Sequence, residues 1–526
     1  MKQNLLIAPF QSPLFRVMFI AMTISNIGTW MNEIGTTWLM ATMPTSDLYI
    51  ALIQTAISLP FLFLAYPAGT IADLVDHRRM LFVIHILLFL SALGLTISAF
   101  YNIMTPLLLL LFTFALGIGN AMMRPAWAAS VPDFAPRESL AGAVTLNTLS
   151  TNITRAIGPA IGGFVIYQFG PSTVFALNTV SFTVLMYALY KWQPEKPNNP
   201  SALPVERFMG AFKAGIRYTR NVRSLRVVLL RSALFFFFAS VSWALLPVIV
   251  IREMQMDSQA YGISMAVVGI GTIIGAFLLP KCHRLMSRNQ VISLSTVLLS
   301  LPMILLAYQP TMYSLTLTLI ALGVSWIFSF SSFILAAQLV VPNWVRARTI
   351  SLVMLTFGGS MAFGSLLWGQ LSDDYGSSLA IYLASTGLLL TLLASKRFAI
   401  ETDKLDQGTP TQWSLPINAD AIEADKGPVM VTIQYHIAPD KVDEFLLLME
   451  QMRVNRKRNG AYFWQIFHDA NDHHLFSEMY MSESWLEVLR QRQRMTAPEL
   501  AIRDQVMAMH LLTEAPAISI QIAGKA

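Results

Sequence analysis

The stretch Arg155-Ala-Ile-Gly-Pro-Ala-Ile-Gly-Gly-Phe-Val-Ile-Tyr-Gln-Phe-Gly170 returns in altered form as Met361-Ala-Phe-Gly-Ser-Leu-Leu-Trp-Gly-Gln-Leu-Ser-Asp-Asp-Tyr-Gly376. Gly158, Gly163 and Gly170 of the first copy fall on Gly364, Gly369 and Gly376 of the second. Upstream of each copy stands a matching turn, Val131-Pro132-Asp133 and Val341-Pro342-Asn343, followed by Arg and a new apolar segment. A weak repeat of this kind reads as two homologous halves. The chain around it is apolar: 526 residues, 55% hydrophobic and 13% charged, with mean hydropathy +0.54, where soluble proteins carry about 25% charged residues. Charge is also unevenly placed, with 36 of the 66 Asp, Glu, Lys and Arg in the first 400 positions and 22 in the last 99. This composition excludes a secreted disulfide scaffold, a nucleic-acid-binding domain and a cytosolic enzyme as the main body. The lone cysteine, Cys282, excludes internal disulfides and a cysteine-based metal cluster.

A helix that crosses a bilayer needs about 20 mainly apolar residues. Twelve segments qualify, at about 14–40, 48–72, 80–100, 104–130, 139–168, 172–191, 228–251, 260–280, 289–308, 312–340, 350–371 and 378–395. The first is too long and too rich in Asn, Trp and Glu for a cleaved signal peptide. Placing both tails and every even-numbered connection in the cytoplasm puts Arg78, Arg79, Arg137, Lys191, Lys196, Arg217, Arg223, Lys281, Arg284, Arg346 and Arg348 there, among others. The opposite side receives only Arg252. By the positive-inside rule both termini are expected in the cytoplasm of a bacterium, with the chain passing repeatedly through the inner membrane. The expected organisation is a six-helix half (1–192), a cytoplasmic connector (193–227), a second six-helix half (228–397), a linker (398–427) and a cytosolic α+β domain (428–526). A membrane protein built of two such halves holds its substrate near the midplane between them.

The final domain alternates like strands at 429–437, 462–468, 475–481 and 517–522, with helical stretches at 439–458, 485–494 and 498–510. The order βαββααβ suits a ferredoxin-like sheet with one open face, which a second copy would cover. The histidines His436, His468, His473, His474 and His510 show no spacing that specifies a haem or metal ligand set. No cofactor or metal site is expected.

After the second helix the chain reads Gly69-Thr-Ile-Ala-Asp73-Leu-Val-Asp-His-Arg78-Arg79. This loop resembles the signature Gly-x-x-x-Asp-x-x-x-x-Arg-Arg of the major facilitator superfamily, with Asp76 where glycine is commoner. The resemblance implies a cytoplasmic gate latch: Gly69 for close helix approach, Asp73 at the N-terminus of helix eleven, and Arg78 or Arg79 as its partner. The run Gly158-Pro159-Ala-Ile-Gly162-Gly163 resembles the fifth-helix motif of the superfamily's drug exporters, in which the glycines permit close packing in lipid and Pro159 a kink. A basic, aromatic tail pattern (Arg456-Lys-Arg458-Asn-Gly460-Ala-Tyr462-Phe-Trp464, Ser484-Trp485, Leu489-Arg490-Gln491) narrows the resemblance to a bacterial branch related to the enterobactin exporter, the transmembrane secretion effectors. Arg492 departs from that branch, which usually has His there. The tail looks like the monooxygenase type of dimeric α/β barrel, which implies a regulatory or homodimerising module, or alternatively a ligand-binding or monooxygenase-type unit.

Three ions are embedded in the first half: Glu33 in helix one, Arg124 in helix four and Arg155 in helix five. A charge in lipid is paired or faces water. Asn26, Trp30, Glu33 and Thr37 share one helical face, and in the superfamily helices one, four, seven and ten line the cavity. Glu33 is then either the proton-responsive residue, with Arg155 or Arg124 as partner, or one end of a fixed ion pair. Asn152, Trp243, Trp326 and Gln338 complete the expected substrate cavity, the tryptophans having packing or lipid-facing roles as the alternative. The expected function is export of a small amphipathic molecule, drug- or siderophore-like, by alternating access with proton antiport. A proton-coupled importer is the alternative, and no enzymatic activity is assigned.

Overall fold

The computed structural model describes residues 8–72, 75–135, 139–192, 216–400 and 426–523. Among these, twelve long helices precede a small sheet domain. The helices are α1 (Pro13–Thr42), α2 (Asp47–Ala72), α3 (His77–Phe100), α4 (Pro106–Phe134), α5 (Leu140–Phe169), α6 (Pro171–Lys191), α7 (Arg223–Pro247), α8 (Ser258–Leu285), α9 (Arg288–Tyr308), α10 (Met312–Leu339), α11 (Asn343–Tyr375) and α12 (Ser377–Arg397). Their starts are written in short polar caps: Ser12 Oγ accepts from Phe15 N, Asp257 from Ala260 N, and Ser287 forms a reciprocal capping box with Gln290. Ten helices are long and apolar enough to cross a membrane. The exceptions are α12, whose apolar stretch Ser377–Leu393 is shorter, and α5, whose Asn147, Asn152 and Arg155 line a cavity described below. α11 runs well past the expected 350–371, because hydropathy marks only the apolar middle of a helix whose ends are polar. Phe63, Val83, Leu107, Phe277 and Tyr313 are among the many large apolar side chains left exposed on these helices, as suits contact with lipid.

The repeat read in the sequence is realised as packing. In α5, a Cβ added at Gly158 would lie 2.6 Å from Trp30 Cβ of α1, and one at Gly163 2.5 Å from Ser258 O and 2.8 Å from Gly262 Cα of α8. In α11, a Cβ at Gly364 would strike Phe237 O and Ser240 Oγ of α7, and one at Gly369 would strike Ala51 of α2. Each repeated helix thus meets helix one of its own half through the first glycine and helix two of the other half through the second. Thr55 Oγ1 adds a hydrogen bond to Ala362 O at 3.1 Å across the α2–α11 seam. The third repeat pair, Gly170 and Gly376, has φ of 81° and 90° with open space around each. There the requirement is conformational: a left-handed residue lets α6 and α12 start directly after the preceding helix.

The sheet domain comprises β1 (Val429–His436), α13 (Val442–Asn459), β2 (Phe463–His468), β3 (Leu475–Ser482), α14 (Trp485–Arg494), α15 (Ala497–Ala508) and β4 (Ala517–Ile522). The strands lie in the order β2-β3-β1-β4 with antiparallel neighbours, which is the expected ferredoxin-like βαββααβ arrangement. Val429, Val431, Ile433 and Tyr435 alternate onto the helix-covered face against Phe445, Met449 and Trp485. Glu478, fully buried in β3, accepts from Trp464 Nε1 at 2.9 Å, Arg456 Nε at 3.0 Å and Tyr435 Oη at 3.2 Å. That pairing holds Arg456 charged despite the opposing cost of its burial. The sheet domain forms one compact unit with residues 216–226 and 337–349, and the remaining helical chain forms the other.

The two kinds of glycine make different demands on substitution. Gly163→Val drives a side chain into backbone and is expected to cost more than the ~1–3 kcal/mol of ordinary overpacking. Gly170→Ala incurs only backbone strain of roughly 1–2 kcal/mol. Thermal melts of the purified protein check this, and a smaller shift for Gly163→Val than for Gly170→Ala would show that the α5–α8 seam does not need its glycine.

Candidate functional site

Between the two helical halves lies a cavity of about 620 Å³. Its lining residues in α4, α5 and α10 lie on the side of the even-numbered connections, and past Glu33 a void of only about 30 Å³ continues it toward the other end, so the cavity is wide at the first end and narrow at the second. The wall from the first half carries the charged and most of the polar groups, Glu33, Arg124, Asn147, Thr148, Thr151, Asn152 and Arg155, beside Trp30, Ile57 and Phe61. The wall from the second half is aromatic: Trp243, Trp326, Phe330 and Phe357. Trp243 and Trp326 meet edge-to-face at 5.3 Å, and Trp326 meets Phe357 at 5.8 Å.

Glu33 stands at the narrow end. It lines the cavity and also two smaller voids of about 30 Å³ each, one leading past Thr37 and Tyr261, the other enclosed by Asn32, Asn120 and Asn178. Its carboxylate lies in the field of Arg155 and Arg124, yet no direct ion pair joins it to either among the described residues. Arg155 instead lies 5.1 Å over the Trp30 ring and Arg124 5.8 Å over Phe61. Arg155 Nε and Trp243 Nε1 are buried donors without a partner among the described residues. An arrangement with separated charges and idle donors leaves room for a ligand to complete it.

Of the residues expected in the substrate cavity, Trp30, Asn152, Trp243 and Trp326 line it, and so do the three embedded ions Glu33, Arg124 and Arg155. Thr37 lines the first smaller void and donates to Glu33 O at 2.9 Å. Asn26, two turns of α1 before Glu33, is not among the lining residues, and Gln338 belongs to the unit that contains the sheet domain. Gln54 and Ser58 of α2, hydrogen-bonded to each other at 2.7 Å, line the cavity without having been foreseen. Neutral polar residues in an apolar helix carry little signal unless their partner is known.

At the narrow end the halves are tied together by a cation that the sequence marked only as the exception to the charge rule. Arg252 sits on a π-helical turn, Val248–Glu253, that extends α7. It donates to Asp47 Oδ1 at 2.9 Å, Ala41 O at 3.2 Å, Met43 O at 3.3 Å and Thr45 Oγ1 at 3.2 Å. Asp47 Oδ2 in turn accepts from Ser372 of α11 at 2.9 Å. One guanidinium therefore links the α1–α2 turn, α7 and, through Asp47, α11.

The loop after α2 is organised differently. Asp73 lies outside the described residues. Asp76 caps α3, accepting from Arg79 N at 2.8 Å, which gives this departure from the usual glycine a physical use. Arg78 donates to the last carbonyls of α6, Leu189 O at 2.9 Å and Tyr190 O at 2.8 Å, where the helix dipole favours a cation. His77 Nδ1 meets Asp133 of α4 at 2.6 Å. An added Cβ at Gly69 would come no nearer than 3.5 Å to Ser351 Oγ of α11, an ordinary contact.

Comparison with known proteins agrees with this architecture. The family model of the transmembrane secretion effectors matches residues 5–526. A staphyloferrin A transporter of Staphylococcus aureus is 25% identical over 66% of this chain and 87% of its own. The multidrug efflux pump Tap of Mycobacterium tuberculosis is 23% identical over 74% of this chain and 94% of its own. Among solved structures, the nucleoside transporter NupG superimposes with TM-score 0.61 at 15% identity, covering 73% of this chain and all of that one. A bacterial homologue of the human lysosomal transporter Spinster does so with TM-score 0.57 at 14% identity, over 74% of this chain and 96% of that one.

The Arg252 latch predicts a shift of conformational balance when it is cut. A hydrogen bond to a charged group contributes about 1.5–3 kcal/mol, so Arg252→Ala is expected to raise the population open at the narrow end by at least ~10-fold. With Cys282→Ser as background, the labelling rate of Thr37→Cys by a membrane-impermeant thiol reagent reads that population. An unchanged rate would mean that the narrow end is held shut by something else.

Proposed function

The chain belongs to the transmembrane secretion effector family, major facilitator transporters of the membrane, and on that premise we propose that it exports a small amphipathic molecule, drug- or siderophore-like, by proton antiport. The observation that carries the reading is Glu33, the acid among the cavity-lining residues, placed where the cavity and both smaller voids meet. Two guanidiniums, Arg124 and Arg155, face that one carboxylate, so the cavity has a surplus positive charge when Glu33 is ionised. Aromatic rings cover the opposite wall. A ligand with an aromatic or apolar body and an anionic or acceptor-rich head suits both walls, and the staphyloferrin A transporter and the multidrug efflux pump among its relatives support a small-molecule substrate.

With both termini in the cytoplasm, as the distribution of Lys and Arg favours, the wide end of the cavity faces the cell interior and the Arg252 latch closes the outer end. Substrate loads from the cytoplasm beside Arg124 and Arg155. Protonation of Glu33 from the outside loosens its hold on Arg124 and Arg155 and favours the inward-facing state, in which Glu33 releases that proton to the cytoplasm as substrate loads. Antiport needs only that proton and substrate favour opposite states of one two-state element. A fixed structural pair at Glu33 is less well supported, since neither arginine contacts it directly. An importer of the same fold would show the reverse flux in inverted vesicles.

The sheet domain serves regulation or homodimerisation. Its face away from the helices presents Met430, Met479, Met481, Phe463 and Phe467, side by side in register and partly or fully exposed, as suits contact with a second copy.

Glu33→Gln keeps the size of the side chain and removes its titration. In proteoliposomes it is expected to reduce uphill export driven by an inward proton gradient to the level seen without a gradient, while substrate exchange at equal pH persists. Retention of wild-type uphill transport would remove Glu33 from the coupling role. A drug and siderophore sensitivity panel, on cells lacking and then overproducing the protein, identifies the substrate class.

A further inference from the structure

The connector between the two halves is polar and then basic in sequence, and residues 217 and 218 within it are docked. Tyr218 is only 1% exposed. It lies beside Arg458 of α13, whose guanidinium is 5.8 Å from the ring centroid. The adjacent Arg217 donates from Nη2 to Glu487 Oε1 of α14 at 2.9 Å, with both side chains largely shielded, 19% and 12% exposed. Asn221 Nδ2 bonds back to Arg217 O at 2.8 Å and holds the segment as a helical turn. Burial pushes the Tyr218 hydroxyl up to about 12, with Arg458 opposing that shift, so the anchor stays neutral.

The receiving surface is built rather than incidental. Glu487 is fixed in the first turn of α14, its N–H donating to Ser484 Oγ at 3.3 Å. Gly460, with φ of 145°, leaves the space it occupies: a Cβ there would lie 2.6 Å from Glu487 Oε1. Arg458 is held by Glu499, which is 2% exposed and accepts in addition from Asn459 Nδ2 at 2.9 Å and Thr496 N at 2.6 Å. A buried tyrosine next to a shielded ion pair is the pattern of an energetically dominant contact. Arg217 and Tyr218 precede the first residue of α7 by less than two helical turns, and the α10–α11 turn at 337–349 belongs to the same compact unit.

We propose that the C-terminal domain is a clamp on its own central connector: Glu487 and the Arg458–Glu499 pair form a socket for Arg217 and Tyr218, and occupancy of that socket restrains the start of α7 and so the rate of the transport cycle. The docking stands on contacts alone, whereas its effect on rate rests on the transporter reading above.

The test uses full-length protein in membranes and compares Arg217→Glu, Glu487→Arg, their double charge swap, and Tyr218→Ala. Trypsin cleavage after Arg220 or Arg223 reports release of the connector. Each single reversal leaves an uncompensated charge in a shielded place and is expected to raise cleavage about 10-fold or more. The double swap should return it toward the wild-type rate. Tyr218→Ala should release the connector while leaving the domain's own resistant core intact, since it alters no residue of that domain. Unchanged cleavage in the single reversals, or no recovery in the swap, overturns the clamp. Export rates across the same series that fail to follow connector release overturn its control of the cycle. Failure of the transporter reading would be visible separately, as absence of export by the wild type.

Discussion

Backbone meets backbone where α5 crosses α8, and most of the helical architecture follows from that contact. In lipid there is no hydrophobic drive to bring two apolar helices together, so close van der Waals approach must supply it. Glycine at 163 and 262 lets the main chains touch. The same device at Gly364 and Gly369 serves α11 against α7 and α2. Two seams placed in this symmetric way join the halves along narrow lines and leave the rest of their facing surfaces free to part. A cavity at one end and a latch at the other are what such a joint permits.

The halves are alike in backbone and unlike in chemistry. The first contributes charge and amide groups to the cavity, the second tryptophan and phenylalanine. Embedded charges are tolerated here because they face a water-accessible space and because aromatic rings lie against the guanidiniums. Several hydroxyls of the second half are occupied in packing: Ser240 bonds to Phe237 O, Ser242 to Met303 Sδ and Ser329 to Ser295. Ser331 of α10, by contrast, stands on the cavity wall. The aromatic surface, rather than hydrogen bonding, therefore dominates that side.

The small domain shows the opposite economy. Its core is ordinary and apolar, while its specificity lies in buried polar pairs such as Glu478 with Arg456 and Glu499 with Arg458. Pairs of this sort contribute little net stability over an apolar core but penalise every wrong arrangement. They tie α13 to β3 and to α15, beside the surface on which Tyr218 of the connector rests.

What could be read from the linear order of residues was whatever has a short period or a long apolar run. Twelve helices, the two-fold repeat and the βαββααβ order each leave such a trace, because a bilayer demands apolar length and a half-buried strand demands alternation. The face of α1 that carries Trp30, Glu33 and Thr37 was legible for the same reason. The positions of Gln54, of Arg252 against Asp47, and of Tyr218 in its socket were not. Each depends on a partner far away in the chain: Arg252 reaches back to residues 41–47, and Arg217 forward to Glu487. Local periodicity carries no record of which distant carboxylate a cation will meet, so these pairings are decided only when the helices and the sheet have packed.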